Sequence, residues 1–293
     1  MNAFVRRRGR VLGLLVLCAL LSLLWPVPGR AAEPAPTVQL EELTWTQLRD
    51  RIAQGTTTVL VPIGGTEQSG PHMVLGKHNV RVRVLATRIA QRLGHAVVAP
   101  VLAYVPEGPV QPPGGHMRYA GTISVTAAAF EAVLDGTARS LLQHGFCDIV
   151  FLGDHGGYQK NMQQVAARLN REWSARTPCR AHALTEYYQA AQTPFVDALK
   201  ARGISVGVIG SHAGLADTSL ALAADPALVH MDLAAARPRG AQDGVLGDPR
   251  GATAELGRVG LDLIVEASVS AFRTKLQARS PSTHQMQKGS QKP

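Results

Sequence analysis

The chain has 293 residues, of which 45% are hydrophobic and 17% are charged, and its formal net charge is +9. Five of the 30 basic residues and none of the 21 acidic residues lie within residues 1–31, so the rest of the chain has a net charge of only +4. This balance excludes the clustered positive charge of a nucleic-acid-binding domain, and the remaining length suits one α/β domain of ordinary size.

The first 31 residues have the three-part organisation of a secretory signal peptide. Four arginines precede an uncharged apolar run over residues 11–24, and Gly29 and Ala31 are the small residues that a cleavage site needs. The run is shorter than the ~20 residues of a bilayer span, although an uncleaved N-terminal anchor is the alternative. We therefore expect a periplasmic or secreted protein that leaves the membrane after cleavage, and the Arg7-Arg8 pair also allows twin-arginine export.

Residues 32–42 form a Pro-rich linker, residues 43–275 alternate strand and helix patterns, and residues 276–293 are a polar tail that we expect to be disordered. Apolar, β-branched runs predict strands over residues 57–63, 96–102, 148–152 and 180–184, with residues 205–209 as a candidate fifth. Amphipathic patterns predict helices over residues 43–53, 80–93, 125–144, 161–176, 194–202, 218–224 and 252–275. Apolar strands that alternate with helices predict a three-layer α/β/α fold with a mostly parallel central sheet.

Two cysteines, Cys147 and Cys179, lie directly before the third and fourth predicted strands. A right-handed crossover through the helix over residues 161–176 would make these strands neighbours, ~4.8 Å apart, which is within reach of disulfide geometry. Export would supply the oxidising compartment. We predict a structural disulfide, and two free thiols are the alternative.

Side chains that bind metals follow three of the predicted strands. The first strand leads to Glu67 and His78, the third to His155, and the fifth to His212 and Asp217. Because the carboxyl ends of parallel strands meet at one edge of the sheet, these side chains are candidates for a shared site. Carboxylates and imidazoles that converge around an open coordination position are what a catalytic metal requires.

Five segments in order along the chain resemble the signature of the creatininase (creatinine amidohydrolase) family. They read VPIGGTEQSGPH from residue 61, YAGTIS from 119, GDHGG from 153, HAGLADTS from 212 and GVLGDP from 244. The resemblance implies an α/β/α fold, a centre of one or often two divalent metals, and hydrolysis of cyclic or linear amides by a metal-bound water. It also implies a small-molecule substrate and an oligomer built from copies of one chain.

The resemblance assigns roles to residues of this chain. Glu67 and His155 match ligands of a first metal, whereas His78 stands where the family has an aspartate that bridges both metals. Ser69 stands where the family has a histidine of the second metal, and Asp217 replaces a glutamate beside the centre. An imidazole cannot bridge two cations as a carboxylate can, so we expect a degraded second site.

The resulting hypothesis is an exported hydrolase with one metal bound by Glu67, His78 and His155. Asp217 would add a fourth ligand or orient the water, and His212, which matches a proton-transferring histidine of the family, would act as general acid. Zinc suits this ligand set, with iron and manganese as alternatives. The substrate would be an amide, lactam or formamide.

The alternative from another class is a non-catalytic periplasmic binding protein that keeps the pocket but has lost the chemistry. His72 and His116 lie in the matching loops and are candidates to line the pocket, although loop histidines are usually solvated. Tyr187 and Tyr188 follow the fourth predicted strand and are candidates for substrate contact or for packing.

Overall fold

The structure is a computed structural model that describes residues 37–235 and 240–279. The expected signal peptide, residues 32–36 of the linker and residues 280–293 of the tail lie outside these ranges. Among the described helices, none is long and apolar enough to cross a bilayer.

The core of residues 37–279 contains a four-stranded sheet of β1 (Thr58–Ile63), β2 (Ala96–Val98), β3 (Asp148–Gly153) and β4 (Arg180–Ala183). The spatial order is β2-β1-β3-β4, and every neighbouring pair is parallel, as predicted. All residues of β1 and β3 are buried, because helices cover both faces of the sheet.

The described helices lie near the predicted positions, with ends that shift by at most four residues, and three short helices were not predicted. In chain order they are α1 (Trp45–Ala53), α2 (Lys77–Leu93), α3 (Ala127–Gln143), α4 (Gln159–Trp173), α5 (Thr185–Gln192), α6 (Pro194–Lys200), α7 (Val206–Ile209), α8 (Leu215–Ala224), α9 (Met231–Ala235) and α10 (Ala254–Arg279). The last helix therefore continues into the segment that was expected to be a disordered tail.

Alternate residues of β1 contact opposite layers, as strand geometry requires. Leu60 packs in a core that includes residues of α2, α5, α6, α8 and α10. Val59, Val61 and Ile63 pack in a second core that includes residues of α3 and α4. This arrangement confirms the predicted three-layer α/β/α architecture.

The candidate fifth strand is wrong. Residues 206–209 form α7, in which the N–H groups of Val208 and Ile209 both donate to the carbonyl of Ser205 at 3.0 Å. Val206 is exposed and Ile209 is buried, so only the carboxyl end of this segment packs in the core. Its side chains do not alternate between buried and exposed, as they would in a strand at the surface of a sheet. The segment has the β-branched residues typical of a strand, but no neighbouring strand pairs with it, and it forms local helical hydrogen bonds instead.

Strand β2 is also shorter than predicted. Pairing with β1 ends at Val98, because Pro62 of β1 has no N–H group to continue the ladder. Contact resumes only at Leu102, whose N–H donates to the Pro62 carbonyl at 3.0 Å.

The predicted disulfide between Cys147 and Cys179 is present, with a Cα–Cα distance of 4.4 Å. It joins the amino-terminal ends of β3 and β4. Beside it, Asp148 accepts hydrogen bonds from His182 at 2.8 Å and from Arg279 at 2.7 and 2.8 Å. Burial opposes ionisation of Asp148, but these hydrogen bonds outweigh it and lower the pKa of the carboxyl.

Candidate metal centre

The carboxyl ends of β1 and β3 bring Glu67 and His155 within 3.4 Å of each other. His116 reaches the same place from a short 3-10 turn, Gly115–Arg118, in the loop that follows β2. Gly65 allows the chain to turn after β1, since its φ is +152° and a side chain there would meet the Glu107 carboxyl at 2.5 Å.

Glu67, His116 and His155 each offer a ligand atom, and these atoms lie within 4.8 Å of one another. The Glu67 side chain is fully buried, and its Oε2 lies 3.3 Å from Nε2 of His116 and 3.4 Å from Nε2 of His155. This oxygen makes no hydrogen bond with any described residue. A buried carboxylate oxygen without a partner is costly, and a cation held between the three side chains would remove that cost. The triad therefore fits a divalent metal.

His78 lies next to Glu67, but on its other oxygen. Its Nε2 is 2.8 Å from Glu67 Oε1, and its Nδ1 is 2.6 Å from Asp154 Oδ2. Each contact needs an N–H on the imidazole, so neither nitrogen has a lone pair free for a metal. The structure thus brings His78 to the expected place in a different role.

Asp217 is likewise close to the centre but fully engaged. It pairs with Lys77 through Oδ2 and with Arg81 through Oδ1 at 2.7 Å, and the N–H of Ala213 donates to Oδ2 at 3.1 Å. Burial alone would raise the pKa of Asp217, but the charges of Lys77 and Arg81 outweigh it and hold the pKa well below its usual range. The Asp217 carboxylate forms ion pairs with these two cations, and it is not part of the triad of Glu67, His116 and His155.

Together these contacts form what we call the charge network, which consists of Lys77, His78, Arg81, Asp154 and Asp217. Arg81 donates to Asp154 through Nε at 2.9 Å, and Lys77 Nζ lies 3.9 Å from Glu67 Oε1. Lys77 is 1% exposed, which is unusual for a lysine. Burial opposes ionisation of Glu67, but the hydrogen bond and charge of His78 and the charge of Lys77 hold its pKa well below the usual range.

The two oxygens of Glu67 therefore have opposite surroundings. Oε1 faces fixed positive groups of the protein, whereas Oε2 faces two imidazoles and lacks a hydrogen bond to the described residues. Burial lowers the pKa of His155 to about 4, so at neutral pH its ring is uncharged, as a metal ligand must be.

His212 lies beside the triad, with its ring centroid 4.5 Å from that of His116. Its Nε2 is 3.0 Å from the carbonyl oxygen of Gln68, and its Nδ1 is 3.9 Å from Glu67 Oε1. Burial, followed by the charge of Lys77, lowers the pKa of His212 to about 4. At neutral pH this imidazole is uncharged, so it can accept a proton before it donates one.

Glu107 is a site residue that the sequence interpretation missed. Its side chain is completely buried, and its Oε2 lies 3.5 Å from Nδ1 of His155. Burial and then the charge of Glu67 raise the pKa of Glu107 to about 9. One signal was present in the sequence, because Glu107 is the single acidic residue of the Gly- and Pro-rich loop over residues 106–121.

A cavity of about 440 Å³ opens onto the triad, within the ~300–1,000 Å³ range of small-molecule sites. His212, Tyr187 and Tyr188 line it, and its walls also include the apolar side chains of Val196 and Ile264. His72 does not line this cavity. It is buried, and its Nε2 lies 3.0 Å from the hydroxyl of Thr218.

Comparison with known proteins agrees with this geometry. A family model described as creatinine amidohydrolase matches residues 41–272. The creatinine amidohydrolase of Pseudomonas putida is 27% identical over 256 residues, which cover 81% of this chain and 96% of that protein. The mycofactocin precursor peptide peptidase of Mycobacterium ulcerans (strain Agy99) is 30% identical over 223 residues, which cover 69% of this chain and 78% of that protein.

Solved structures show the same likeness. A creatinine amidohydrolase structure aligns with a TM-score of 0.70 at 25% identity, over 85% of this chain and 100% of that one. A structure described as creatininase Mn aligns with a TM-score of 0.69 at 26% identity, over 82% of this chain and 99% of that one. A creatininase variant of the Zn-Zn type has the same TM-score, identity and coverage. The chain therefore belongs to the creatininase family, whose members are metal-dependent hydrolases that act on carbon–nitrogen bonds.

Proposed function

We propose that the protein is an exported amidohydrolase in which one divalent metal, bound by Glu67, His116 and His155, supports hydrolysis of an amide, lactam or formamide bond of a small substrate. The observation that carries the proposal is the buried Glu67 Oε2, which lies between two imidazole nitrogens and has no hydrogen bond to the described residues. Two imidazoles and one carboxylate suit catalytic zinc, and iron or manganese are the alternatives.

The charge network supports a single ion rather than two. Lys77 and His78 already face Oε1 of Glu67, at 3.9 and 2.8 Å, and they supply positive charge on that side. Asp154, which contacts His78, is also paired with Arg81, and Asp217 is occupied by Lys77 and Arg81. A second divalent ion there would meet repulsion from these cations without a free ligand to offset it.

The bound ion would supply Lewis acidity, which activates a water molecule and polarises the substrate carbonyl. The protein contributes a fixed proton carrier. The Gln68 carbonyl accepts the Nε2–H of His212 at 3.0 Å, which leaves the Nδ1 lone pair on the side of Glu67. His212 can take a proton there and return it to the leaving nitrogen, and so acts as base and then as acid.

His116 is held in place by the same residue. The Gln68 side-chain amide donates to Nδ1 of His116 at 2.9 Å, and Nε2 of that ring then faces Glu67. Gln68 therefore orients both His116, a candidate metal ligand, and His212, the proposed proton carrier, although these two histidines are far apart in sequence.

Export is part of the proposal. The disulfide between Cys147 and Cys179 supports it, because structural disulfides persist in oxidising compartments such as the periplasm or the extracellular space. Mass spectrometry of protein recovered from the periplasm tests it, since cleavage after Ala31 would leave Ala32 as the first residue.

Metal content and turnover test the chemistry. Purified protein should hold about one zinc, iron or manganese ion per chain by elemental analysis and should hydrolyse at least one member of a panel of lactams, formamides and short amides. His116→Ala should lose the ion, whereas His144→Ala, on the exposed end of α3, is the matched control and should keep it. Protein without a metal and without turnover would instead be the non-catalytic binding protein.

A further inference from the structure

The cavity beside the metal centre has an apolar side that the proposed chemistry does not require. We call it the apolar wall, and it consists of six side chains from α5, α6, α8 and α10, namely Tyr188, Ala191, Val196, Ala216, Leu220 and Ile264. Leu220 and Ile264 are buried, whereas the other four are half-buried and pack against the hydrophobic core that contains these two. The wall is therefore a part of the core surface that the fold leaves open to the cavity.

The apolar wall begins next to the metal centre. A Cβ atom at Gly156 would lie only 2.6 Å from the Tyr188 hydroxyl, so this tyrosine lies against the backbone of the residue that follows His155. At the other side, Ala216 directly precedes Asp217 of the charge network. A substrate whose scissile bond lies at the metal centre would therefore place its neighbouring atoms along the wall.

The charged side chains that line the cavity around the metal centre are already paired with one another. Lys77 pairs with Asp217, and Arg81 pairs with Asp217 at 2.7 Å and with Asp154 at 2.8 Å. A charged group of a substrate would have to compete with these buried pairs, and a buried charge that loses its partner is strongly destabilised. The described groups that remain to recognise a substrate are neutral, and the apolar wall is the part of them that packs on a single core.

We propose that the substrate carries an apolar group of several carbon atoms beside its scissile carbon–nitrogen bond, and that the apolar wall binds this group. The inference rests on the proposed function, because it places the scissile bond at the metal centre. The cavity of about 440 Å³ has the size of a site for a whole organic ligand, so a bare formamide would leave the wall exposed to water. An apolar group against the wall removes both surfaces from water, which is favourable in proportion to the area buried.

Straight-chain hydroxamates test the wall, because the hydroxamate group binds zinc and its alkyl chain reports on the surface beside the metal. Isothermal titration calorimetry of zinc-loaded protein gives the dissociation constants of acetohydroxamate and hexanohydroxamate. Each methylene group that is buried improves binding by ~4-fold, so with partial burial hexanohydroxamate should bind ~10–100-fold more tightly. The ratio of the two constants is the readout, since loss of part of the metal would not change it.

One substitution on the wall and one away from it form a matched pair. Val196→Asp introduces a charge into the wall and should reduce the ratio to less than about threefold, because a chain beside the carboxylate would strip water from it. Val133→Asp is the control, since Val133 is exposed on α3 and is not among the residues that line the cavity. This variant should keep the ratio of the wild-type protein.

The outcomes separate the two hypotheses. Wild-type protein that binds no zinc would refute the metal centre, and the wall would then be decided by the measurement described next. Zinc-loaded protein that binds both hydroxamates within about twofold of one another would overturn the role of the wall alone. The full ratio in folded Val196→Asp would overturn it as well.

A second measurement requires neither a metal nor a variant. In EDTA-treated wild-type protein with labelled valine and leucine methyl groups, N-pentylformamide should shift the NMR resonances of Val196 and Leu220. N-methylformamide at the same concentration should leave them in place, and the Val133 resonances should not move with either compound. If N-pentylformamide leaves Val196 and Leu220 unshifted, the proposal is wrong, whether or not the protein binds a metal.

Discussion

The disulfide makes the sharpest stability prediction. Replacing Cys147 and Cys179 together by serine, or reducing the bond, should lower the free energy of unfolding without removing activity, since the bond lies at the end of the sheet opposite the metal centre. The cysteines are 32 residues apart. The chain-entropy model then gives a stabilisation of about 3.7 kcal/mol, which corresponds to a fall in Tm of ~7–15 °C for a domain of this size.

Urea unfolding with and without a phosphine reductant measures this quantity. The experiment is run in EDTA, because a bound metal would add its own stabilisation to the native state. The double serine variant is the control and should not respond to the reductant. A change below about 1 kcal/mol on reduction would refute the reasoning, as would two reactive thiols in denatured protein that has not been reduced.

Three further predictions follow from the site and its surroundings. His155→Ala should lose the metal, whereas His212→Ala should keep it and turn over ~10²–10⁴-fold more slowly; loss of metal from His212→Ala would make this residue a ligand. Asp217→Asn should still bind one ion but lose ~3–5 kcal/mol of stability, because it leaves buried cations unpaired; a reduced metal content at full stability would restore Asp217 as a ligand. The lowered pKa of Asp148 contributes stability that is present above its unfolded pKa of ~3.9 and is lost as pH falls through the lower folded value. Urea midpoints measured down to pH 3 should therefore fall less steeply for Asp148→Asn, and equal slopes would contradict the assignment.

Much of the fold could be predicted because its signals are local. Continuous apolar runs between helical patterns gave the four parallel strands, and the right-handed crossover rule placed the two cysteines side by side. The failures depended on contacts that no local pattern contains. Residues 205–209 have strand composition but no strand to pair with, and β2 stops where Pro62 of the neighbouring strand interrupts the ladder.

The site was predictable to the same extent. The strand-end rule brought Glu67 and His155 together, because β1 and β3 end at the same edge of the sheet. His212 also lies at this site, but it follows helix α7 and not the predicted fifth strand. The role of His78 depends on Asp154, 76 residues away in sequence, and that of Asp217 on Lys77, 140 residues away. Spacing alone cannot show that such groups neutralise one another, so both were expected to bind the metal.

His116 was expected to line the pocket and not to bind the metal, for a related reason. It lies in a loop rich in glycine and proline, where a histidine is usually solvated, and its approach to Glu67 depends on how that loop folds back over the sheet. Glu107 was not predicted, because its position as the single acidic residue of the same loop does not show that it folds against Glu67 and His155.

The start of α2 has a consequence for how the protein assembles. Its first five residues place Lys77, His78 and Arg81 at the end of a helix where the backbone dipole is already positive. Such a turn is unstable by itself, and the carboxylates that stabilise it come from Glu67 in the preceding loop, Asp154 after β3 and Asp217 in α8. Folding of this turn should therefore be a late event that follows the docking of β3 and α8. Amide hydrogen exchange within this turn would therefore report, without any substrate, the fraction of molecules in which the charge network and the metal centre are fully folded.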